Sequence, residues 1–351
     1  MKNEPRRPLG KAGFTLVEVM VGLVIALLST AIIFQMFTVF GGQRRSTVSG
    51  ADAQESGLLS LSYVEREVRM AGLGTANLNC PNIRYYIEGV TPPPPSGQNA
   101  VSFSTIPVKI TQNDPVAGTD RVNVFYADTK YTAIPATITT SMPDSSAILN
   151  VNLGFGFQQT DVILVSEAGK DCSIIQASQD GQKTGKDWNV QHNPGNCCKW
   201  NPPGGANIFP TPDGYDPGAR LSNLGAMMIF DFYVQNGSLM VLDLTVPAGA
   251  NNPQALITDV VGMRAAYGRD TDNDGTVDVF DNTLPANKRQ VLAVRLGILA
   301  RSSLLEKEPV STTAIAYWPG GPTFTPTGAQ RNYRYKVYNT VVPLRNVLWN
   351  Q

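Results

Sequence analysis

The sequence predicts an α+β protein in which a long N-terminal helix packs on an antiparallel, β-rich globular domain. Three observations carry this expectation. An uninterrupted apolar run extends from Phe14 to Phe40, apolar residues recur at spacings of three and four through residues 44–72, and the remainder alternates short apolar segments with proline, glycine, threonine and asparagine.

The apolar run, FTLVEVMVGLVIALLSTAIIFQMFTVF, holds no proline and one charge, Glu18. At 1.5 Å per residue it makes a helix of about 40 Å, enough to cross a hydrocarbon core of about 30 Å with some tilt. A secretory signal peptide has a shorter apolar region of roughly 7–15 residues and a small-residue cleavage site after it. The flank here is GGQRRS, and neither feature fits. Gly22 and Ser29 are small enough to let neighbouring helices approach closely.

Glu18 is the informative residue of the run. A carboxylate in a membrane span costs roughly 2.5–3.5 kcal/mol on insertion scales and is kept where it finds a partner. No other charge lies in the span, so the partner is expected from elsewhere.

Downstream, Leu58, Leu61, Val64, Val68 and Ala71 form an apolar stripe, with Glu65, Arg66, Glu67 and Arg69 on the other positions. This predicts an amphipathic continuation whose stripe packs on the globular body. Gly72 and Gly74 are expected to stop it. Glycines at 41, 42, 50 and 57 are expected to bend or fray a helix about 88 Å long over residues 14–72.

In the body, the expected strands include VSFSTI (101–106), RVNVFYA (121–127), DVILVSE (161–167), MMIFDFYV (227–234), SLMVLDLT (238–245), QVLAVRLGILARS (290–302) and YRYKVYNTVVPL (333–344). Asn236 and Gly237 predict a tight two-residue hairpin turn. TPPPPS (91–96) is expected as a rigid surface loop. No internal repeat and no second-domain boundary is visible.

The chain has 351 residues, 16% charged and 42% hydrophobic, which excludes a disordered chain. Lysine plus arginine and aspartate plus glutamate both number 28, so no global field favours nucleic acid. The nearest basic and aromatic run, RNYRYKVY (331–338), is more simply a strand, and no nucleic-acid partner is expected. Lys2, Arg6, Arg7 and Lys11 precede the apolar run against a single Glu4.

The acidic stretch DTDNDGTVDVFD (270–281) is the sharpest site signal in the body. Asp270, Asp272, Asp274 and Asp278 fall at positions one, three, five and nine of a calcium loop, Gly275 at six, Thr276 at seven and Asp281 at twelve. Calcium is the expected ligand, because carboxylates this close repel one another unless a cation sits among them. A solvated acidic hairpin turn is the competing expectation. Aspartate at the twelfth position and strand-like flanks depart from the helix–loop–helix pattern.

No G-x-S-x-G elbow, phosphate-binding loop, dinucleotide fingerprint or H-E-x-x-H motif is present, and no enzymatic activity is expected. The single histidine, His192, is expected in an exposed loop.

Gly13, Phe14, Thr15, Leu16, Val17 and Glu18, behind a short basic leader, resemble the processing site of type IV prepilins and type II secretion pseudopilins. The resemblance implies a leader of residues 1–13 cut between Gly13 and Phe14 by a prepilin peptidase, and N-methylation of Phe14. It further implies that Glu18 pairs with the amino terminus of a neighbouring subunit during assembly. It divides the chain into that leader, a pilin helix over 14–72 with 14–40 transmembrane, and a disulfide-bonded body over 73–351. Major pilins usually carry a proline in the second half of the helix; STAIIFQMF (29–37) has none, so local melting there is not expected.

Several body segments resemble the PilW family of large minor pilins: REVRMAGLG with Cys80 shortly after, GYDPGARLSNLG, VGMRAAYGRDTDNDG and the closing VPLRN. The family implies a minor pilin of the type IV pilus that helps prime or cap assembly with other minor and major pilins, with a large tip adhesin as a further implied partner. The implied location is the inner membrane with a periplasmic body, then the pilus or cell surface. The alternatives are a type II secretion pseudopilin and an adhesive or ligand-binding module carried on the filament.

Outside the cytoplasm, Cys80, Cys172, Cys197 and Cys198 are expected as disulfides. Cys80 and Cys172 are each expected to pair with one member of the vicinal pair, pinning the aperiodic segment 180–220.

Overall fold

The computed structural model describes residues 13, 15–74, 80–89, 101–103, 107–113, 119–128, 135–142, 148–203, 208–210, 214–246, 252–285 and 287–348. The proline loop at 91–96, the end of the 101–106 segment, the leader before Gly13, and Phe14 lie outside them.

One helix, α1 (Leu16–Met70), runs for 55 residues, about 80 Å at the standard rise. The strands follow as β1 (Ile83–Tyr85), β2 (Val101–Phe103), β3 (Val108–Thr111), β4 (Arg121–Asp128), β5 (Ala136–Thr137), β6 (Ile148–Val151), β7 (Val162–Ser166), β8 (Cys172–Gln176), β9 (Gln182–Thr184) and β10 (Asp187–Gln191). Next come β11 (Arg220–Gln235), β12 (Ser238–Asp243), β13 (Gln254–Thr258), β14 (Val260–Arg269), β15 (Val279–Asp281), β16 (Val291–Arg301), β17 (Ile315–Ala316), β18 (Thr323–Phe324), β19 (Tyr335–Pro343) and the short α2 (Arg345–Leu348). The strands expected from the sequence are present. β11 extends further toward the N-terminus than predicted, and β9 and β10 lie in the segment expected to lack regular structure. β9 is wholly exposed and polar, so it carries no apolar alternation to read.

Four strands form an antiparallel sheet in the order β15-β14-β16-β19, and the second half of α1 lies along β16 and β19. Helix and sheet share a core in which Leu61, Val64, Val68 and Ala71 meet Leu296, Ile298, Val342 and Leu344. Full burial of each larger side chain contributes about 1.5–3 kcal/mol. The glycines do not break α1, and at Gly57 packing on this sheet outweighs the low helix propensity. Leu58 departs from the predicted stripe and is 47% exposed. The buried face continues instead through Ala53, Gly57 and Ser60, small residues that let the sheet approach the helix axis.

α1 ends where predicted. Gly72 and Gly74 take positive φ of 78° and 73°, and the Gly72 N–H donates to the Phe125 carbonyl at 3.1 Å. The Asn346 side-chain amide donates to the helix-end carbonyls of Met70 (3.2 Å) and Ala71 (3.1 Å), so the closing VPLRN segment caps the helix. Leu344 of the same segment is buried, and its N–H donates to Leu292 at 2.8 Å.

The larger sheet has ten strands, including the path β13-β12-β11-β7-β8-β1-β2. Its pairing is antiparallel except for β1 with β8, which is parallel. β11 joins two lobes: Arg220–Gly225 pair with β7, and Ala226–Phe232 pair with β4. Near the end of the β7 pairing a bulge skips Leu224, where Gly225 takes φ 63° and the Asn223 side chain closes the irregularity by accepting from Gly225 N–H at 2.8 Å. The β11–β12 hairpin turns at Asn236 and Gly237 with φ of 51° and 74°, as predicted.

A three-stranded sheet, β6-β10-β9, covers the second lobe over a core of Leu149, Ile163, Ile175, Val190, Tyr215 and Leu221. The GYDPGARLSNLG stretch builds this lobe. The Tyr215 hydroxyl sits 2.9 Å from the Asp171 carbonyl and 2.8 Å from Ser173 Oγ, which donates to Ile208 at 2.6 Å.

Candidate functional site

The N-terminal part of α1 is uncovered. From Leu16 to Phe40 its large apolar side chains are exposed, with Phe37 at 73%, and this window is long and apolar enough to cross a membrane. Exposure on this scale costs too much in water to persist without lipid or neighbouring chains around it.

Thr15 is the N-cap, with extended backbone at φ −78° and ψ 152°. Its hydroxyl oxygen accepts from Glu18 N–H at 3.3 Å, while Thr15 N–H and Oγ1 each donate to Glu18 Oε2 at 3.1 Å. This is a capping box, legible as T-x-x-E before an apolar run yet not predicted above. Glu18, whose partner is expected from another chain, therefore also has a partner within its own. Thr15 supplies a partner within the same chain, at the positive end of the helix dipole, and both contacts fall on one carboxylate oxygen. Gly13 lies two residues before this cap, and a Cβ built on it would meet nothing within 4 Å.

The acidic segment forms the connection between β14 and β15. Carboxylate oxygens of Asp270, Asp272 and Asp278 lie within 4.8 Å of one another. Asp270 is buried and accepts from the N–H groups of Asn273 (2.6 Å), Asp274 (3.3 Å) and Gly275 (2.8 Å). Burial pushes its carboxyl up, but these donors outweigh burial and hold it below the ordinary range. Asp278 accepts from Thr271 N–H and Oγ1, both at 2.7 Å, and is held low by them. Asp272 is pushed up, first by desolvation and then by the neighbouring charges of Asp274 and Asp278.

The other predicted ligands go elsewhere. Asp274, which is not among the three converging carboxylates, accepts from Thr276 N–H (2.7 Å) and Oγ1 (2.5 Å) in a local turn. Asp281 is in β15 and pairs with Arg269 Nε at 2.9 Å, which holds its carboxyl low. The strand register places Arg269 opposite Val279, so the twelfth position faces a fixed guanidinium rather than the loop centre. Of the five expected carboxylates, the fold brings three together, Asp270, Asp272 and Asp278.

The cysteines depart from the expected pairing: Cys80 bonds Cys172, and Cys197 bonds its neighbour Cys198. The parallel pairing of β1 with β8 sets Ile83 beside Cys172, and Cys172 N–H donates to Asn82 at 2.9 Å, so the chain brings Cys80 to Cys172. A parallel pairing across such a separation leaves no local sequence signal. The Cys197–Cys198 bond closes only its own turn, with Cys198 N–H donating to Gly195 at 2.9 Å. The 180–220 segment is held instead by β9 and β10 against β6, and by buried Asn201, whose amide donates to Gln176 at 2.7 Å and Asn193 at 3.0 Å.

His192 is buried, not exposed as predicted, with its ring 5.4 Å from that of Phe209. It follows β10 directly, and the turn back to Asn201 draws it inward. A cleft of about 460 Å³ opens at the β11 bulge, lined by Asp128, Asp161, Lys199, Trp200, Asn223 and Met228 among others.

Two family models match the chain. Residues 9–34 match the prokaryotic N-terminal methylation motif, and residues 231–346 match type IV pilus-assembly protein W. The first match covers Gly13, Glu18 and most of the apolar run. The second begins within β11 and ends at Asn346, taking in the four-stranded sheet, the acidic connection and the helix cap. No curated protein and no solved structure matches the chain. With a prepilin-type start at one end and the assembly-protein region packed on the same helix at the other, the two matches are consistent with a PilW-like type IV pilin.

Proposed function

We propose that this chain is a minor pilin, a structural subunit that enters the type IV pilus through α1, helps prime or cap its assembly, and performs no catalysis. The observation that carries this reading is the uncovered apolar helix of Leu16–Phe40, continuous with a helix half that is locked onto the body. A segment so exposed is suited first to lipid and then to the helices of other pilins. In that role prepilin peptidase removes residues 1–13, Phe14 is methylated, and Glu18 uses its remaining oxygen for the amino terminus of a neighbour. Burying that pair among helices gives an ion pair in low dielectric, where losing one partner is costly. The body is then periplasmic before assembly and displayed on the filament afterwards.

The test is intact mass and N-terminal analysis of membrane-extracted protein from cells with and without prepilin peptidase, followed by pilus counts in a deletion strain. A methylated start at Phe14 that requires the peptidase, with pili lost on deletion, is the expected result. Lost secretion with intact pili would point instead to a type II secretion pseudopilin.

The cleft at the β11 bulge favours a second reading, a ligand-binding or adhesive module borne on the filament. Normal pili with lost attachment would support it. Within either reading we also propose the acidic connection as a calcium site built on Asp270, Asp272 and Asp278, supported by the convergence of these three carboxylates.

A further inference from the structure

We propose that the loop of residues 303–311 is a membrane-interface contact, which seats the body on the lipid headgroups while the helix is still in the bilayer. The inference rests on the membrane-anchored reading of α1 and adds a second point of attachment to it.

The loop follows β16 and runs back along the helix toward the membrane span. Leu304 N–H donates to Ser49 Oγ at 3.3 Å, and Ser303 Oγ donates to Asp52 at 2.6 Å. Farther down, Gly42, Ser49, Leu304, Leu305, Glu306 and Val310 are among the residues that line one cavity of about 350 Å³. Gly42 lies about 3 Å beyond Phe40, and Ser49 about 13 Å, at the helical rise. The headgroup layer is roughly 5–8 Å thick on each side of the hydrocarbon core, so the cavity that the loop shares with Gly42 opens at headgroup depth, below the loop's hydrogen bonds to Ser49 and Asp52.

Its side chains suit that depth. Leu304, Leu305 and Val310 are 43%, 51% and 40% exposed, with the exposed pair Lys307 and Glu308, of opposite charge, between them. The loop is also preorganised. Glu306 N–H donates to Asn332 and Val310 N–H to Arg331, both at 2.8 Å, and the Asn332 amide returns to the Glu306 carbonyl at 2.9 Å. A rigid loop that holds apolar side chains outward beside a membrane span loses little entropy when lipid covers them. Continuity with the span identifies the occupant as a lipid surface.

The experiment uses the full chain reconstituted at one copy per nanodisc. Among the described residues no cysteine is free, so Leu305→Cys supplies a single thiol for an environment-sensitive fluorophore. Ile33→Cys in the span is the positive reference. Phe155→Cys, exposed on the lobe built around Tyr215, is the negative one. Lipids carrying a shallow doxyl group should quench the label at 305 and shift its emission to the blue, leaving 155 unaffected. Quenching at 33 with none at 305 overturns this inference alone. No quenching at 33 overturns the membrane anchoring and this inference with it.

Discussion

The ring of Tyr338 occupies the space a side chain at position 57 would fill: a Cβ built on Gly57 would stand 2.4 Å from Tyr338 Cδ2 and 3.3 Å from Ala300 Cβ. This is where α1 lies closest against β19, and it explains a glycine in the middle of a helix. Alanine gains about 1 kcal/mol in helix propensity over glycine. Here the overlap should outweigh it, so Gly57→Ala is expected to destabilise the chain by about 1–2 kcal/mol net of that gain. In a Tyr338→Ala background the same substitution should become neutral or stabilising. Denaturant melts of the four chains in detergent check this sign reversal.

The Asn346 amide at the end of α1 predicts a second effect. Asn346→Ala leaves the Met70 and Ala71 carbonyls without that donor and should cost about 1 kcal/mol. Asn346→Asp should cost more, because it places a carboxylate at the negative end of the helix dipole. Hydrogen exchange should show the loss concentrated in the last turn of α1.

The two disulfides should differ sharply in weight. Cys80–Cys172 closes a loop with a separation of 92 residues, for which chain entropy gives about 4–5 kcal/mol, whereas Cys197–Cys198 joins adjacent residues and constrains almost nothing beyond its turn. Cys80→Ala/Cys172→Ala is expected to lower the melting temperature strongly and Cys197→Ser/Cys198→Ser only slightly. Non-reducing peptide mapping should recover a fragment linking residues 80 and 172. A link from either to 197 or 198 would refute the pairing.

Much of the helix and of the C-terminal sheet was legible because their signals are local. A period of three and four gave the buried face at Leu61, Val64, Val68 and Ala71, alternation gave β16, and Asn-Gly gave the turn at 236–237. The signals that failed depend on distant partners. Leu58 fits the period but turns outward, because β19 comes close enough to select Gly57 instead. Cys80 meets Cys172 only through a parallel pairing that no spacing encodes. The acidic connection was legible as a cluster, while the contacts of Asp281 with Arg269 and of Asp274 with Thr276 depend on the fold around it.

That connection gives the last prediction, in both pH and metal. Asp278 and Asp281 have carboxyls held low in the folded chain, Asp281 by Arg269 and Asp278 by Thr271. A depressed folded value contributes stability that is present above the unfolded aspartate value of about 3.9 and is lost as pH falls through the lower folded value. Acid should therefore loosen the β14–β15 connection below about pH 4, and Asp281→Asn should flatten that dependence. Asp272 has the opposite sign: its carboxyl is held high, so its ionisation at neutral pH works against the folded loop. Asp272→Asn is thus expected to raise the melting temperature slightly in chelator. In calcium the order should reverse, because the cation neutralises the repulsion in the parent chain while the variant has lost a ligand. A parent chain whose melting temperature is the same in calcium and in chelator would leave the connection as an acidic turn held by its own backbone, and would remove calcium from the proposed function.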